Sequence, residues 1–568
     1  MAVKAVPAWA ASPTPCTDWT YTQVRAASQF LSGTLLGTRL SQVFLDPAWT
    51  DFQLADLRGL QVTTNPPAAP VVDPAAGSER LDAVANAPAY RMKLDLQALQ
   101  LLEVIAGIKL GSLIKTPVGA VNQFAQATYN GTANGSTGAV DNSSGVIDLS
   151  NSAGSTTWAS INLRNLLNEA LGGSLSGLGD VVADNLLDLS LDVGAVAGRA
   201  WQDTCTNCVN RDYLLAWLKL VVTSPLLAAI YDALVPVLGG LQTTVNGLIG
   251  TNSVVSGLLN QIENAVNALP LGLGANADLS VELDASALLA ALGSDLFPSS
   301  DLLDVGLGAG KTLGIDLGVL LGGAYQADGT NTALNGLAPN TGLLVNASAV
   351  TNLVDELGKI GQDIVGAIVG LIKVNLNIQV SGLGGDLATI KLQAGENNTD
   401  PVTIGGLLNG QFYLKVSLLS GVPIVGDLLS ALTSLVTTTV SGLVGQLGGA
   451  LKTLVGDAVL TTTVNAAISQ LVAFVNQLLT KLFVVPGILS LTANAQNDPT
   501  VGCNVRAGGG AEPSDWAGIQ EGEYDVAALR LSVLQAVDTR LVTLYLARGA
   551  VGPVAASAGT APVAPAKP

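Results

Sequence analysis

Two hydrophobic periods take turns along this chain. Asp278, Leu279, Ser280, Val281, Glu282, Leu283 and Asp284 alternate polar and apolar strictly, the period of a strand with one wet face. Ahead of them Leu241, Val245, Leu248, Val255, Leu259, Ile262, Val266 and Leu269 recur at helical spacing. The same order returns later. Leu353, Leu357, Ile360, Ile364, Ile368 and Leu371 trace a helix, and Val374 to Val380 then alternates. Helix followed by strand thus occurs over 241–284 and again over 350–380, a weak internal repeat whose residues barely match. Val422 to Phe483 carries the longest apolar stripe, through Leu428, Leu435, Leu447, Ile468, Leu471 and Leu478. Gly442, Gly445, Gly448 and Gly449 interrupt it. Each interior glycine costs about 0.5–1 kcal/mol against alanine. The stripe therefore predicts a helical hairpin, broken near Gly448-Gly449 and held by tertiary packing.

The flanks read differently. Thr17 to Leu60 mixes Trp19, Tyr21, Phe30, Phe44, Trp49 and Phe52 with short apolar runs, as expected at the edge of a β-rich core. Residues 80–115 predict helix and strand, and Asn130 to Gly154 predicts loops around short strands. Ile161 to Leu171 predicts an amphipathic helix, and Asp188 to Val193 a half-buried strand. Tyr524–Leu534 and Thr539–Leu546 are β-rich and predict a hairpin. The most apolar segment, Tyr213 to Gly240, carries Lys219 and Asp232 and is cut by Pro225 and Pro236. It predicts a buried or amphipathic helix, since a membrane span wants about 20 apolar residues with few charges. Pro66-Pro67-Ala68-Ala69-Pro70 predicts a turn or linker. After Gly552 the chain turns to proline and alanine, an extended spacer.

Composition divides the chain in the same places. From Leu218 to Gly502 there is no arginine, tryptophan or cysteine, and all three return together at Cys503, Arg506 and Trp516. This pattern predicts one module split by a long insertion. The expected fold is α+β: a β-rich head built from both chain ends, with an inserted body of long amphipathic aliphatic helices and antiparallel strands. The expected boundaries are a disordered segment over 1–15, a discontinuous head of 16–212 plus 503–552, a body over 213–502 and a spacer over 553–568. With 49% hydrophobic but only 4% aromatic and 12% charged residues, the surface must be Ser, Thr, Asn and Gly, since about 25% charge is usual.

Formal charge is −18, which excludes nucleic acid as a partner because phosphate binding needs a positive footprint. The chain has no histidine, so Ser-His-Asp layouts and most zinc hydrolases are excluded. No P-loop or dinucleotide fingerprint is present, and no cofactor or metal is expected. Asp141-Asn142-Ser143-Ser144-Gly145 and Asp328-Gly329-Thr330-Asn331 resemble fragments of calcium loops but lack the closing Glu; polar turns are expected. Asn130-Gly131-Thr132, Asn142-Ser143-Ser144 and Asn346-Ala347-Ser348 fit the glycosylation pattern. Asp301 with Asp304, and Glu521 with Glu523, are the carboxylate pairs available for glycoside chemistry.

Four cysteines remain: Cys16, Cys205, Cys208 and Cys503. An even, low count suits an exported protein with two disulfides. The expected pairing is Cys205–Cys208 as a local loop and Cys16–Cys503 as a clasp. A reduced Cys205-Thr206-Asn207-Cys208 redox motif and a four-cysteine zinc site are the alternatives. Ala8-Trp9-Ala10-Ala11 has the small residues of a leader cleavage site, so the expected chain is a mature or shortened form whose signal peptide has been removed.

Ser28-Gln29-Phe30-Leu31-Ser32-Gly33-Thr34-Leu35-Leu36-Gly37 resembles the opening of the actinobacterial choice-of-anchor G surface proteins. Leu189-Ser190-Leu191-Asp192-Val193-Gly194-Ala195-Val196-Ala197 resembles that family's internal motif. Tyr524-Asp525-Val526-Ala527-Ala528-Leu529-Arg530 through Val551-Gly552-Pro553 resembles its closing strands. The likeness covers the flanks only. It implies a secreted protein held at the cell wall, although this sequence shows no LPxTG-type sorting signal. The family offers no catalytic residues to carry over. The expectation is an extracellular, non-catalytic surface protein of structural or adhesive role. Its partners would be the cell envelope, reached through the C-terminal spacer, and a host or matrix surface; integral membrane insertion is not expected. The alternatives are a binding module for an apolar, lipid-like ligand and a carbohydrate-active enzyme using paired carboxylates.

Overall fold

The computed structural model describes residues 21–40, 59–95, 120–149, 159–203, 208–235, 254–267, 274–282, 301–306, 311–359, 373–418, 459–484, 488–513, 522–533 and 542–556, with short gaps inside these spans, and isolated positions elsewhere. The fold is α+β, with antiparallel sheets and more strand than helix. Tyr21–Leu35 lies inside a nine-stranded sheet between Leu60–Thr64 and Val542–Val551. Tyr524–Val533 and Leu489–Gln496 continue that sheet to Thr341–Gly342 at one edge, and Val71–Asp73 closes the other. Strands from the two ends of the chain therefore pair directly: Ala26 faces Val551 and Leu35 faces Val542. Tyr524–Val533 and Val542–Val551 pair antiparallel, as their alternation predicts.

A six-stranded sheet packs on this one. Its order is Cys208–Leu215, Val196–Asp203, Ala133–Gly138, Ala120–Ala127, Ala89–Asp95 and Glu79–Arg80. The two form a sandwich whose inner residues make the core. At the closest approach only glycine fits. A Cβ on Gly135 would overlap the Ala27 carbonyl, and one on Gly198 the Ala547 carbonyl, each from the opposite sheet.

One ribbon links the sandwich to a third sheet. Asp188–Val193 pairs with Leu218–Thr223, and the continuing Val196–Asp203 pairs with Cys208–Leu215. The ribbon bends where Gly194 N donates to the Trp217 carbonyl and Ala216 N to the Ala195 carbonyl. Any side chain at 194 would collide with the Trp217 indole. Ala159–Asn162, Thr312–Asp316 and Leu303–Gly306 complete the five-stranded third sheet. Asp188–Val193 lies inside it with Leu189, Ser190 and Leu191 all buried, deeper than a half-buried strand.

This ribbon corrects the helical reading of Tyr213 to Gly240. Leu218–Thr223 alternates buried and half-buried positions, and Val221, Val222 and Thr223 are β-branched, which favours strand. The helix starts only at Pro225 and runs to Val235. Ser224 Oγ accepts from Leu226 N, and proline at the first helical position has no N–H to leave unpaired. The boundary expected at 212/213 falls inside Cys208–Leu215, and Leu489–Gln496, expected in the body, belongs to the nine-stranded sheet. Ala555–Ala556, in the expected spacer, still pairs with Tyr21–Leu35.

A five-stranded fourth sheet holds Gly274–Glu282, Lys373–Gly382, Gly385–Gln393 and Tyr413–Leu418, with Val402–Thr403 beside Lys373–Gly382. The strands of the internal repeat pair with each other, Gly274 opposite Ser381 and Glu282 opposite Lys373. Helix Val254–Asn267 packs on Gly274–Glu282, and helical residues 348–359 bury Leu353 and Leu357. Helix Val459–Leu479, extended by Thr480–Val484, buries Ile468, Leu471, Phe474, Val475, Leu478 and Leu482. Its length and hydropathy would allow Asn465–Val484 to cross a membrane. Its exposed face, however, carries Asn465, Ser469, Gln470, Asn476 and Gln477, the amphipathic division of a helix lying on a core. Residues 244–253, 360–372 and most of 419–458, where the rest of the predicted stripes fall, lie outside the described residues.

Candidate functional site

Both sheets of the sandwich end on the same side. Cys208–Leu215 is an edge strand of the six-stranded sheet, and Leu489–Gln496 lies next to the edge of the nine-stranded one. An open edge presents unpaired N–H and C=O groups that must be satisfied or blunted. Here asparagine side chains do this. A carboxamide carries one acceptor oxygen and a donor NH2, so it can stand in for a peptide group of a neighbouring strand. Asn335 Oδ1 accepts from Leu215 N at 2.9 Å while its Nδ2 donates to Leu215 O at 2.7 Å. Asn504 does the same for Arg211, at 3.1 and 2.6 Å. Asn340 does it for Gln496 on the other sheet, at 2.7 and 3.0 Å. Asn497 bridges Asp525 N and Glu523 O at 2.7 and 2.6 Å. The loop 331–343, from the middle of the sequence, thus laces the two sheet edges together.

The disulfide belongs to this seam. Cys208 pairs with Cys503 across 295 residues, with Cα atoms 5.6 Å apart, inside the usual range of roughly 4.4–6.8 Å. This overturns the expected pairing, in which Cys208 bonded Cys205 and Cys503 bonded Cys16. The physical reason is the backbone: Cys503 N donates to the Val209 carbonyl, which sets Cys503 against the start of the edge strand. Cys16 and Cys205 lie outside the described residues. No free cysteine occurs among the described residues.

Beside the disulfide is a cleft of about 210 Å³ whose walls include Trp201, Asn210, Asp212, Tyr213, Leu337 and Arg506. Three segments build it: the strands Val196–Asp203 and Cys208–Leu215, the loop 331–343, and residues 494–506 at the end of Leu489–Gln496 and in the loop after it. Arg211 pins the last of these by donating to the carbonyls of Asn497, Asp498 and Val501. Burial lowers its guanidinium to about 10 despite Asp525 and Asp498 nearby. Asp212 Oδ1 accepts from Tyr213 N at 2.9 Å; burial raises this carboxyl, opposed by that bond and by Arg199 and Arg506. Arg506 Nη1 donates to the Gly336 carbonyl. Tyr213 Oη donates to Leu334 O at 3.0 Å and accepts from Leu337 N at 2.9 Å, and burial raises its phenol. Behind the wall, the Arg199 guanidinium lies 4.4 Å from the Trp201 ring centroid.

A second cluster is sealed inside the sandwich. Arg25 Nη1 donates to Glu523 Oε2 at 2.6 Å and to Gly552 O at 3.2 Å. Arg548 Nε donates to Asp525 Oδ2 at 2.7 Å, and its Nη2 reaches Glu523 Oε1 at 3.4 Å. Both carboxylates have 0% side-chain exposure. Burial, then Asp525, pushes Glu523 up to about 7, outweighing Arg548 and Arg25. This is the closest approach to the paired carboxylates considered from sequence, with Asp525 in place of Glu521, which lies outside the described residues. Two arginines occupy the space a substrate would need. Of the other pair, Asp304 binds Lys219 at 3.3 Å on the surface, and Asp301 is exposed.

The acidic loops are polar turns. Asp141 Oδ1 accepts from the backbone and hydroxyls of Ser143 and Ser144, which hold its carboxyl below the usual value although burial acts the other way. Asp328 accepts from Thr330 in the same way. Among the described residues no group of three or more acidic or thiol ligands converges on a metal position. Of the glycosylation triplets, Asn130 and Asn346 lie outside the described residues.

The model of the family described as a domain of unknown function, DUF8394, matches residues 26–552. The chain belongs to this family. The matched span opens on Ala26 and closes one residue past Val551, its partner in the nine-stranded sheet. The family's domain therefore includes both end strands and everything between. No curated protein and no solved structure matches the chain.

Proposed function

We propose that this chain is a secreted surface protein held at the cell envelope, with a structural or adhesive role and no catalysis of its own. In this reading the sandwich, built from both chain ends, is the head. The helices and the fourth sheet are a body inserted into it, as the arginine-, tryptophan- and cysteine-free stretch suggests; wall attachment is what the resemblance to choice-of-anchor G proteins implies, and the Pro/Ala stretch after Ala556 leads back to the envelope. The observation that carries the reading is the Cys208–Cys503 bond, a cross-link compatible with an oxidising, extracytoplasmic compartment. The exposed faces of Val254–Asn267 and Val459–Leu479, rich in Asn and Gln rather than Lys and Glu, support a display surface that interacts by hydrogen bonds more than by charge.

The test is to shave intact cells expressing the native gene with protease and to label thiols in parallel. Peptides of this protein released from intact cells, with Cys208 and Cys503 unlabelled, are the expected result. Signal confined to the cytosol with both thiols labelled would overturn the reading.

A further inference from the structure

The geometry points to the cleft beside the disulfide as a binding site for one neutral saccharide ring, at the end or a branch of a glycan. The inference deepens the adhesive reading and rests on it only for where the glycan comes from.

Size, charge and hydrogen-bonding capacity agree. A volume of about 210 Å³ is below the roughly 300–1,000 Å³ of sites for drug-sized ligands, so the cleft takes a ring and not a chain. Its charges are partly answered inside the fold. Arg211 donates to backbone carbonyls and has Asp525 and Asp498 nearby, and Asp212 feels both Arg199 and Arg506. The lining's one carboxylate gives a cation little to bind, and the anion controls in the test separate a neutral ring from an acid. What the walls still offer is varied. Asp212 uses Oδ1 on Tyr213 N, which leaves Oδ2 as an acceptor. Arg506 uses Nη1 on Gly336 O, which leaves Nε and Nη2 as donors. Asn210, opposite Trp201 in the ladder, offers both. Adjacent hydroxyls, each one donor and two acceptors, answer such a set. Trp201, Leu337 and Pro339 supply apolar wall for the C–H face of a ring.

The walls are also fixed before any ligand arrives. The disulfide, Asn504 and Arg211 hold one side, and Asn335 and Tyr213 hold the other. Preorganisation lowers the entropy cost that makes single-sugar binding weak.

The test uses the oxidised full-length protein and ligand-observed NMR with calorimetry. The probes are the methyl glycosides of glucose, mannose, galactose and arabinose, with sodium glucuronate and sodium acetate as anion controls. At least one neutral glycoside should bind saturably. Arg506→Gln or Asp212→Asn should weaken it tenfold or more without moving the melting temperature. Arg506 lies at the exposed side of the cleft, so Arg506→Gln keeps the test informative if Asp212→Asn does not fold. The proposal is overturned if no glycoside binds, if binding is unchanged in both variants, or if only glucuronate and acetate bind, which would make the cleft an anion site. Binding to purified protein and display on cells fail separately, so a loss of one reading does not pass for a loss of the other.

Discussion

The sandwich and the two longest described helices use charge in opposite ways. The sandwich side buries it: Arg25, Arg199, Arg211, Arg530, Arg548, Glu523 and Asp525 are all buried. The helices Val254–Asn267 and Val459–Leu479 keep charge off their exposed faces, which present Asn260, Gln261, Asn264, Asn465, Gln470 and Asn476. The arginine-free stretch from Leu218 to Gly502 now has a physical meaning. Every buried arginine among the described residues lies outside it. Arginine here serves as an internal clamp, because its planar fork reaches several carbonyls and carboxylates at once. The stretch from Leu218 to Gly502 has no such clamps, and its described helices pack aliphatic stripes instead.

The sharpest way to break this contrast is to remove one clamp. Arg548→Met takes away one of the guanidiniums that answer the buried Asp525 and Glu523. Removing one partner of a buried pair costs about 3–5 kcal/mol, which urea unfolding will register. Opening the disulfide with Cys208→Ser and Cys503→Ser comes next, at about 2–5 kcal/mol, read by calorimetry. The asparagine staples follow. Asn335→Ala, Asn340→Ala and Asn504→Ala each leave one backbone donor and one acceptor without a partner at a sheet edge, for about 1–3 kcal/mol. Hydrogen exchange at Leu215, Gln496 and Arg211 should rise at the matching residue only.

A graded effect comes from pH. Glu523 is raised from 4.5 to about 7 in the fold, so the native state holds a proton that the unfolded chain has released. Its contribution is full below pH about 4.5 and is lost as pH rises toward 7. Unfolding free energy measured from pH 4.5 to 7.5 should fall with this component, and Glu523→Gln should remove the slope. The smallest change is expected on the exposed face of helix Val459–Leu479, where Gln470→Glu or Asn476→Lys should shift stability by less than about 0.5 kcal/mol. A large loss there would mean that the uncharged face is itself packed against something.

Where a period of two or 3.6 was written in the residues, the elements could be read. Gly274–Glu282, Lys373–Gly382, Tyr524–Val533 and the core of Val459–Leu479 came from alternation or helical spacing alone. Leu218–Thr223 was misread because it sits in a long apolar run, where strand and buried helix give the same signal. The seam was illegible for a different reason. Asn335, Asn340, Asn497 and Asn504 look like ordinary loop residues, and nothing local says that each will meet a strand edge distant in sequence or in another sheet. The cysteine pairing failed in the same way: short spacing suggested Cys205 as the partner of Cys208, but the ladder brings Cys503 to it. The cleft is built from 201–213, 336–339 and 494–506, and only the folded chain brings these together.

Val542–Val551 is flanked on both sides, by Tyr21–Leu35 and by Tyr524–Val533, with facing residues at every position but Ala547. In mechanical terms this is where a tether leading away from Gly552 would enter the molecule. Load along that strand is carried by two ladders in shear, so many hydrogen bonds must give way together. A strand at the edge would peel from one neighbour, bond by bond. Once the short pairing of Ala555–Ala556 with Tyr21–Leu35 has yielded, a pull on the tail is met by the interior of the widest sheet, while the asparagine-stapled seam and its cleft, at the far side of the sheet, stay out of the direct path of the force.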